Sequence, residues 1–330
     1  MRYTHRSRGI FFSLILLLLH AVLFAQTGPG GVGSGSTNIL WLKSNEITGL
    51  TNGEDVLTWS DASGNGNTLT APSSTFSPTY QTSEINGLPV VRFSKTNGRI
   101  RRTSFSDFPT SSITAIYVNR TVDSGDGVIS YASSTSNNND FLLFRSESLN
   151  LYRGTNINSN VSLRTLPTAA FHIANAMWRN SDGRVEVWKD GSQDFTSTGF
   201  QTGTSITAGG SLAIAGEQDI VDGNYAASQA HFGDFSEVII FNTFLNTAQN
   251  IIVSNYLAAK YALTISNDRY DYQASHSNDV AGIGYEDSSN EHTAAMSAGM
   301  LRVDNADGLN VDQEYLLFGH NGADATMAWT

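Results

Sequence analysis

Short runs rich in β-branched and aromatic residues recur along this chain, each closed by a cluster of Gly, Asn, Asp or Ser, with no helical pattern alternating between them. They fall at residues 39–42, 56–59, 90–93, 113–119, 128–131, 141–144, 171–179, 184–189, 212–215 and 235–242. Parallel strands need long crossovers, usually helices, whereas short polar connections suit antiparallel neighbours. The spacing predicts an all-β fold in which antiparallel sheets stack as a β-sandwich or jelly roll. Asp182-Gly183 and Asp190-Gly191 bracket residues 184–189 as hairpin-type turns.

One segment departs from this rhythm. Asn246-Thr247-Ala248-Gln249 has a capping sequence, and Ile252, Tyr256, Ala259 and Leu263 follow at helical spacing, which predicts a helix of about four turns. The preceding run Glu237-Val238-Ile239-Ile240-Phe241 is too apolar for an exposed edge, so the helix is expected beside the sandwich as its last element. After Ile265 the composition shifts to Asn, Asp, His and Ser, and new short strands arise near 280–285, 300–303 and 315–318. Residues 266–330 read as the start of a second β domain, truncated, with the boundary between Ser266 and Asp268.

At the other end, Arg2, Arg6 and Arg8 precede an apolar run over residues 10–19 and then Ala21-Val22-Leu23-Phe24-Ala25. This reads as a signal peptide, residues 1–25, cleaved near Ala25. Its apolar part is shorter than the roughly 20 residues of a membrane-spanning helix, and no later segment comes closer. The expected location is secreted, extracellular or cell surface, with no membrane span. Residues 26–37, with Gly-Pro-Gly-Gly and Gly-Ser-Gly, read as a flexible linker, and residues 38–265 as the sandwich domain. A net charge of -11 argues against nucleic acid as a partner. The absence of cysteine removes disulfides, thiol catalysis and thiolate metal sites; the expected cofactor is either calcium, a hard cation with oxygen ligands, or none.

Four constellations carry chemistry. Asp61, Ser63 and Asn65 with Gly66 mimic the first half of a calcium loop, but Pro72 stands where an EF-hand needs its bidentate carboxylate. What is left is either a metal site that recruits a remote carboxylate or a structural Asx-type turn. Glu217, Asp219 and Asp222 form a second acidic stretch, the best remote contributor. Trp188 is a candidate stacking platform for a ligand, since Val185 and Val187 take the opposite strand face, although a large ring on a strand ordinarily belongs to the core. Arg99 and Arg101, with Arg102, form a basic cluster suited to an acidic glycan or to a charged strand edge. The histidines show neither an i, i+4 pair nor a His-Glu-x-x-His motif, and no Gly-x-Ser-x-Gly elbow occurs.

Trp59-Ser60-Asp61 with Ser63 to Asn67, then Asn86-Gly87-Leu88-Pro89-Val90-Val91-Arg92-Phe93, Val187-Trp188-Lys189-Asp190-Gly191, and Gly233-Asp234-Phe235 running on to Tyr256-Leu257-Ala258-Ala259-Lys260-Tyr261 appear in order. This succession resembles laminin-G-like modules of the concanavalin A-like lectin/glucanase superfamily in secreted bacterial surface proteins. The resemblance implies a non-catalytic binding or adhesion module, with a polysaccharide or surface glycoprotein as partner. Glu217-Gln218-Asp219-Ile220-Val221-Asp222 also resembles the Glu-x-Asp-x-x-Glu strand of concanavalin A-like glycosidases, which implies, as an alternative, a glycoside hydrolase using Glu217 and Asp222. There the acid position would be one methylene short, and Gln218 replaces the usual apolar residue. A structural spacer in an adhesin is the further alternative.

Overall fold

The computed structural model describes residues 28–122, 127–145, 148–154, 162–165, 169–297, 301–304 and 308–322; the leader expected at residues 1–25 lies outside them. Two sheets face each other. The first holds, in spatial order, β14 (Ser192–Ser197), β13 (Arg184–Lys189), β12 (His172–Arg179), β7 (Ser112–Thr121), β16 (Gly233–Phe241), β5 (Leu88–Phe93) and β4 (Thr79–Ile85), and β1 (Asn38–Lys43) also pairs with β16. The second runs β11 (Ser162–Thr165), β10 (Ser148–Tyr152), β9 (Phe141–Phe144), β8 (Gly127–Ala132), β15 (Ser211–Ile214), β6 (Ile100–Arg102), β3 (Leu69–Thr70) and β2 (Thr58–Trp59). Their pairings are antiparallel. The expected all-β sandwich with one helix is what the chain forms.

Alternation along β7 explains why its sequence is apolar throughout. Ile113, Ala115 and Tyr117 point into the core between the sheets, where they meet Val128, Tyr131, Leu143 and Leu212 of the second sheet. Ile116 and Val118 point the other way, into a second apolar layer shared with the helix α1 (Thr247–Tyr261) through Ile251, Ile252 and Leu257. β16 behaves alike: Phe235, Val238 and Ile240 face inward, Ile239 and Phe241 outward. A strand covered on both faces reads as a continuous apolar run.

The helix begins as its sequence predicts. Asn246 accepts from the Gln249 backbone N–H at 3.0 Å, and the Gln249 side chain accepts from the Asn246 N–H at 3.0 Å, a complete capping box. Ala262, at the other end, takes the left-handed conformation that closes the helix.

What fixes this helix to the sheet is a buried carboxylate. Glu237, on β16, is 0% exposed. Its Oε1 accepts from Trp41 Nε1 at 2.5 Å and Tyr256 O–H at 2.9 Å; its Oε2 accepts from Lys260 Nζ at 2.7 Å and Tyr261 O–H at 2.8 Å. Burial opposes ionisation, but the charges of Lys260 and Lys43, with the hydrogen bonds, outweigh it and hold the carboxyl below its ordinary range.

Strand β17 (Asn278–Asp287) lies between β18 (Asn290–His292) and β21 (Glu314–His320), and β19 (Ala294–Ser297) pairs with β20 (Leu301–Asp304). Val280 of β17 and Tyr270 join the helix layer. The glycine-rich segment expected as a flexible linker is different in kind: residues 28–32 are buried. Its turn Pro29–Gly31 is wedged where a Cβ on Gly31 would stand 2.8 Å from Ala295 and one on Gly30 3.1 Å from Ile252, so only glycine fits the gap at positive φ. His292 Nε2 donates to the Gly31 carbonyl at 3.0 Å. Low polarity and small size, read as looseness in the sequence, serve here as close packing.

Candidate functional site

The turn at Asp61 closes on itself. Asp61 Oδ1 accepts from the backbone N–H groups of Trp41 and Ser63, both at 2.9 Å, and Oδ2 accepts from Ser63 Oγ and the Asn67 N–H, both at 2.8 Å. A carboxylate offers about four lone-pair positions, and here four donors fill them. Asn65 is exposed, and its Nδ2 donates to the Asn38 carbonyl at 2.9 Å and to Ser63 Oγ at 3.0 Å. Asp61, Ser63 and Asn65 therefore make a poor fit for calcium and a good tie between this turn and β1. Asp61→Ala should cost about 2–3 kcal/mol through orphaned N–H groups. The loss should be the same with calcium or with chelator in chemical denaturation; a loss seen only with calcium would mark this turn as the metal site instead.

The second acidic stretch is built otherwise. Residues 216–230 leave β15 and return, with the His231 N–H donating to the Ala215 carbonyl at 3.2 Å, as a compact loop whose ends meet. Gln218 is fully buried, and its Nε2 donates to the carbonyls of Ser130 and Ser211 at 3.0 and 3.1 Å, while its Oε1 accepts from the Asp222 N–H at 2.9 Å. This amide, which the sequence marks only as a departure from a glycosidase pattern, clamps the loop onto β8 and β15. Asp222 forms an ion pair with Arg101, and the Arg99 guanidinium stacks 3.8 Å over Tyr225 of the same loop.

That pairing revises the reading of the basic cluster. β6, which carries Arg101, lies between β15 and β3 and is no edge strand, and both arginines are engaged in holding the acidic loop. Trp188 also differs. Val185 and Val187 do face the inter-sheet core with Trp188 opposite, but its ring is 5% exposed, packed in the helix layer with its Nε1 donating to Glu186 at 3.0 Å. Helix burial on that face withdraws the ring from any ligand in solution.

With Asp222 neutralised by Arg101, Glu217 and Asp219 stay together. Glu217 is 3% exposed, and its Oε2 has no hydrogen-bond partner. Burial first, and the Asp219 charge second, push its carboxyl up to about 7. The turn Ala227–Gln229 comes alongside: the Gln229 carbonyl and the Glu217 N–H both crowd the α-carbon of Gly127, leaving no room for a Cβ there. Glu217 thus keeps a buried oxygen without a hydrogen-bond partner and feels the Asp219 charge, and carboxylate oxygens are donors of the kind a hard cation takes. Among the described residues, no three acidic or histidine side chains converge, so amides and carbonyls would complete the set. The glycosidase pattern is not realised, because residues 217–222 form a loop and Asp222 is bound to Arg101.

An antiparallel jelly roll whose polar chemistry is gathered in one clamped loop defines a lectin-like, ligand-binding module. The Pentaxin family model matches residues 100–278, just over half of the chain, and the chain belongs to that family. It is similar to C-reactive protein 1.4 of Limulus polyphemus, 34% identical over 22% of this chain and 30% of the relative. It is also similar to C-reactive protein of Rattus norvegicus, 29% identical over 41% and 57%. The matches thus span about a third to somewhat over half the length of those relatives. Among solved structures, the native heptameric SAP-like pentraxin from Limulus polyphemus aligns with 21% identity, covering 49% of this chain and 76% of that one at a TM-score of 0.42.

Proposed function

We propose that this chain is a secreted, non-catalytic binding module that recognises a polysaccharide or a surface glycoprotein through the loop of residues 216–230, with calcium bridging loop and ligand. The observation that carries this reading is the buried Glu217 carboxylate, which keeps an unpartnered oxygen beside Asp219 in a loop held rigid by Gln218, Arg101 and Arg99. A divalent cation there relieves the repulsion between the two carboxylates and presents open coordination positions outward. The residues that would hold it are Glu217 and Asp219, completed by backbone carbonyls such as that of Gln229. Adhesion at a cell surface fits such a module, and the strands after residue 266 would begin a further β unit.

A glycan array probed with the purified chain tests the reading. Binding to one glycan class is expected in calcium, with at least a tenfold loss in EDTA and in Glu217→Gln. Binding indifferent to chelator would refute the bridging role, and a blank array would favour a spacer. Release of reducing sugar that disappears in Glu217→Gln would turn the assignment to a glycosidase.

A further inference from the structure

A groove on the helix side of the molecule, remote in sequence from the acidic loop, has its own chemistry. Two adjoining cavities of about 570 and 460 Å³ share Asn86 and Ser277 and follow the C-terminal half of the helix. Each lies within the size range of small-molecule sites, and the shared residues make them neighbours along the helix.

Its charges exclude an anionic occupant. The two lysines that line it are already committed, Lys43 to Glu46 and Lys260 to the buried Glu237, each at 2.7 Å. The carboxylates of Asp279 and Asp268, one in each cavity, add negative potential. Among its polar groups are four side-chain amides, Asn45, Asn86, Asn278 and Gln273, of which Asn86 also donates to the Lys260 carbonyl at 2.9 Å and Gln273 to Asp268 at 3.0 Å. A side-chain amide offers donors and an acceptor together, which matches hydroxyl groups, themselves both donor and acceptor. Exposed Ala262 and half-buried Leu263 give one stretch a low apolar wall, against which the C–H face of a sugar ring can lie.

We infer that this groove is a second binding site, independent of calcium, for an uncharged linear oligosaccharide. Titration calorimetry of the purified chain in EDTA tests this with the neutral probes cellohexaose, xylohexaose and laminarihexaose and the acidic probe hexagalacturonate. One neutral hexasaccharide should saturate, hexagalacturonate should not, and Glu217→Gln should leave the affinity unchanged, which separates this site from the loop. Asn45→Ala and Ala274→Trp, at exposed positions that leave the melting midpoint unaltered, should each weaken binding at least tenfold. The inference is overturned if no neutral probe saturates, if hexagalacturonate binds best, or if Ala274→Trp binds as well as the parent. Selection of an extended peptide that Ala274→Trp blocks, without sugar binding, would assign the groove to a protein partner and overturn it likewise.

Discussion

Glu237→Leu should lower the melting midpoint by roughly 6–20 °C, the shift that a loss of about 3–5 kcal/mol produces in a domain of this size. The substitution leaves the Lys260 ammonium without its counter-charge and strands the Trp41 N–H and the Tyr256 hydroxyl, both directed at the vanished carboxylate, while Tyr261 keeps the Ser236 carbonyl at 3.3 Å. A second substitution, Lys260→Met, should restore part of the loss, because removing both charges leaves no orphan ion. The pH dependence has a definite sign. The folded carboxyl is held below its ordinary value of 4.5, so its stabilisation is present above that value and lost as pH falls through the folded one. Glu237→Leu should accordingly flatten the acid limb of the stability curve. A variant melting within a degree or two of the parent would remove Glu237 from its place as the anchor of the helix.

The second large effect comes from Glu217 and runs the opposite way with pH. Its folded carboxyl titrates at about 7 against 4.5 for the ordinary group, so between those values the folded state holds the extra proton. Stability in EDTA should fall as pH rises across that interval, by up to roughly 3 kcal/mol, and level off above it. On the proposed reading calcium would bind the ionised form, so its affinity should rise over the same interval, and millimolar calcium at about pH 8 should restore several degrees of melting midpoint. Glu217→Gln should abolish both the slope and the calcium response. Scanning calorimetry from about pH 5 to about pH 8, with and without EDTA, measures all of this; a parent protein indifferent to calcium at the alkaline end would dismiss the loop as a cation site.

Much of the fold was legible because burial leaves a trace in residue type. The apolar runs of β7 and β16, with Asn246 and Gln249 at the start of the helix, announced a two-faced sheet and its cover. β4 and β14 left no such trace: Thr79–Ile85 and Ser192–Ser197 are largely polar strands at the sheet margins. The site was only half legible. Glu217 and Asp219 stood out as an acidic cluster, but which carboxylate is spent depended on Arg101, more than a hundred positions earlier. Gln218 looked like a blemish because a buried amide is recognisable only through the carbonyls it meets. Glu237 looked like one charge in an apolar strand, since its four donors lie at 41, 256, 260 and 261.

The wedge formed by Pro29–Gly31 reaches into how the chain is made. Gly31 rests on Ala281 and Ala295, some 250 positions later, and β1 finds its partner β16 only after about two hundred intervening residues. Contacts of such range form slowly, and the wedge cannot seat before the residues around Ala281 and Ala295 are available to it. Closure of the outer layer is therefore expected late in folding, after the two sheets that it covers have met.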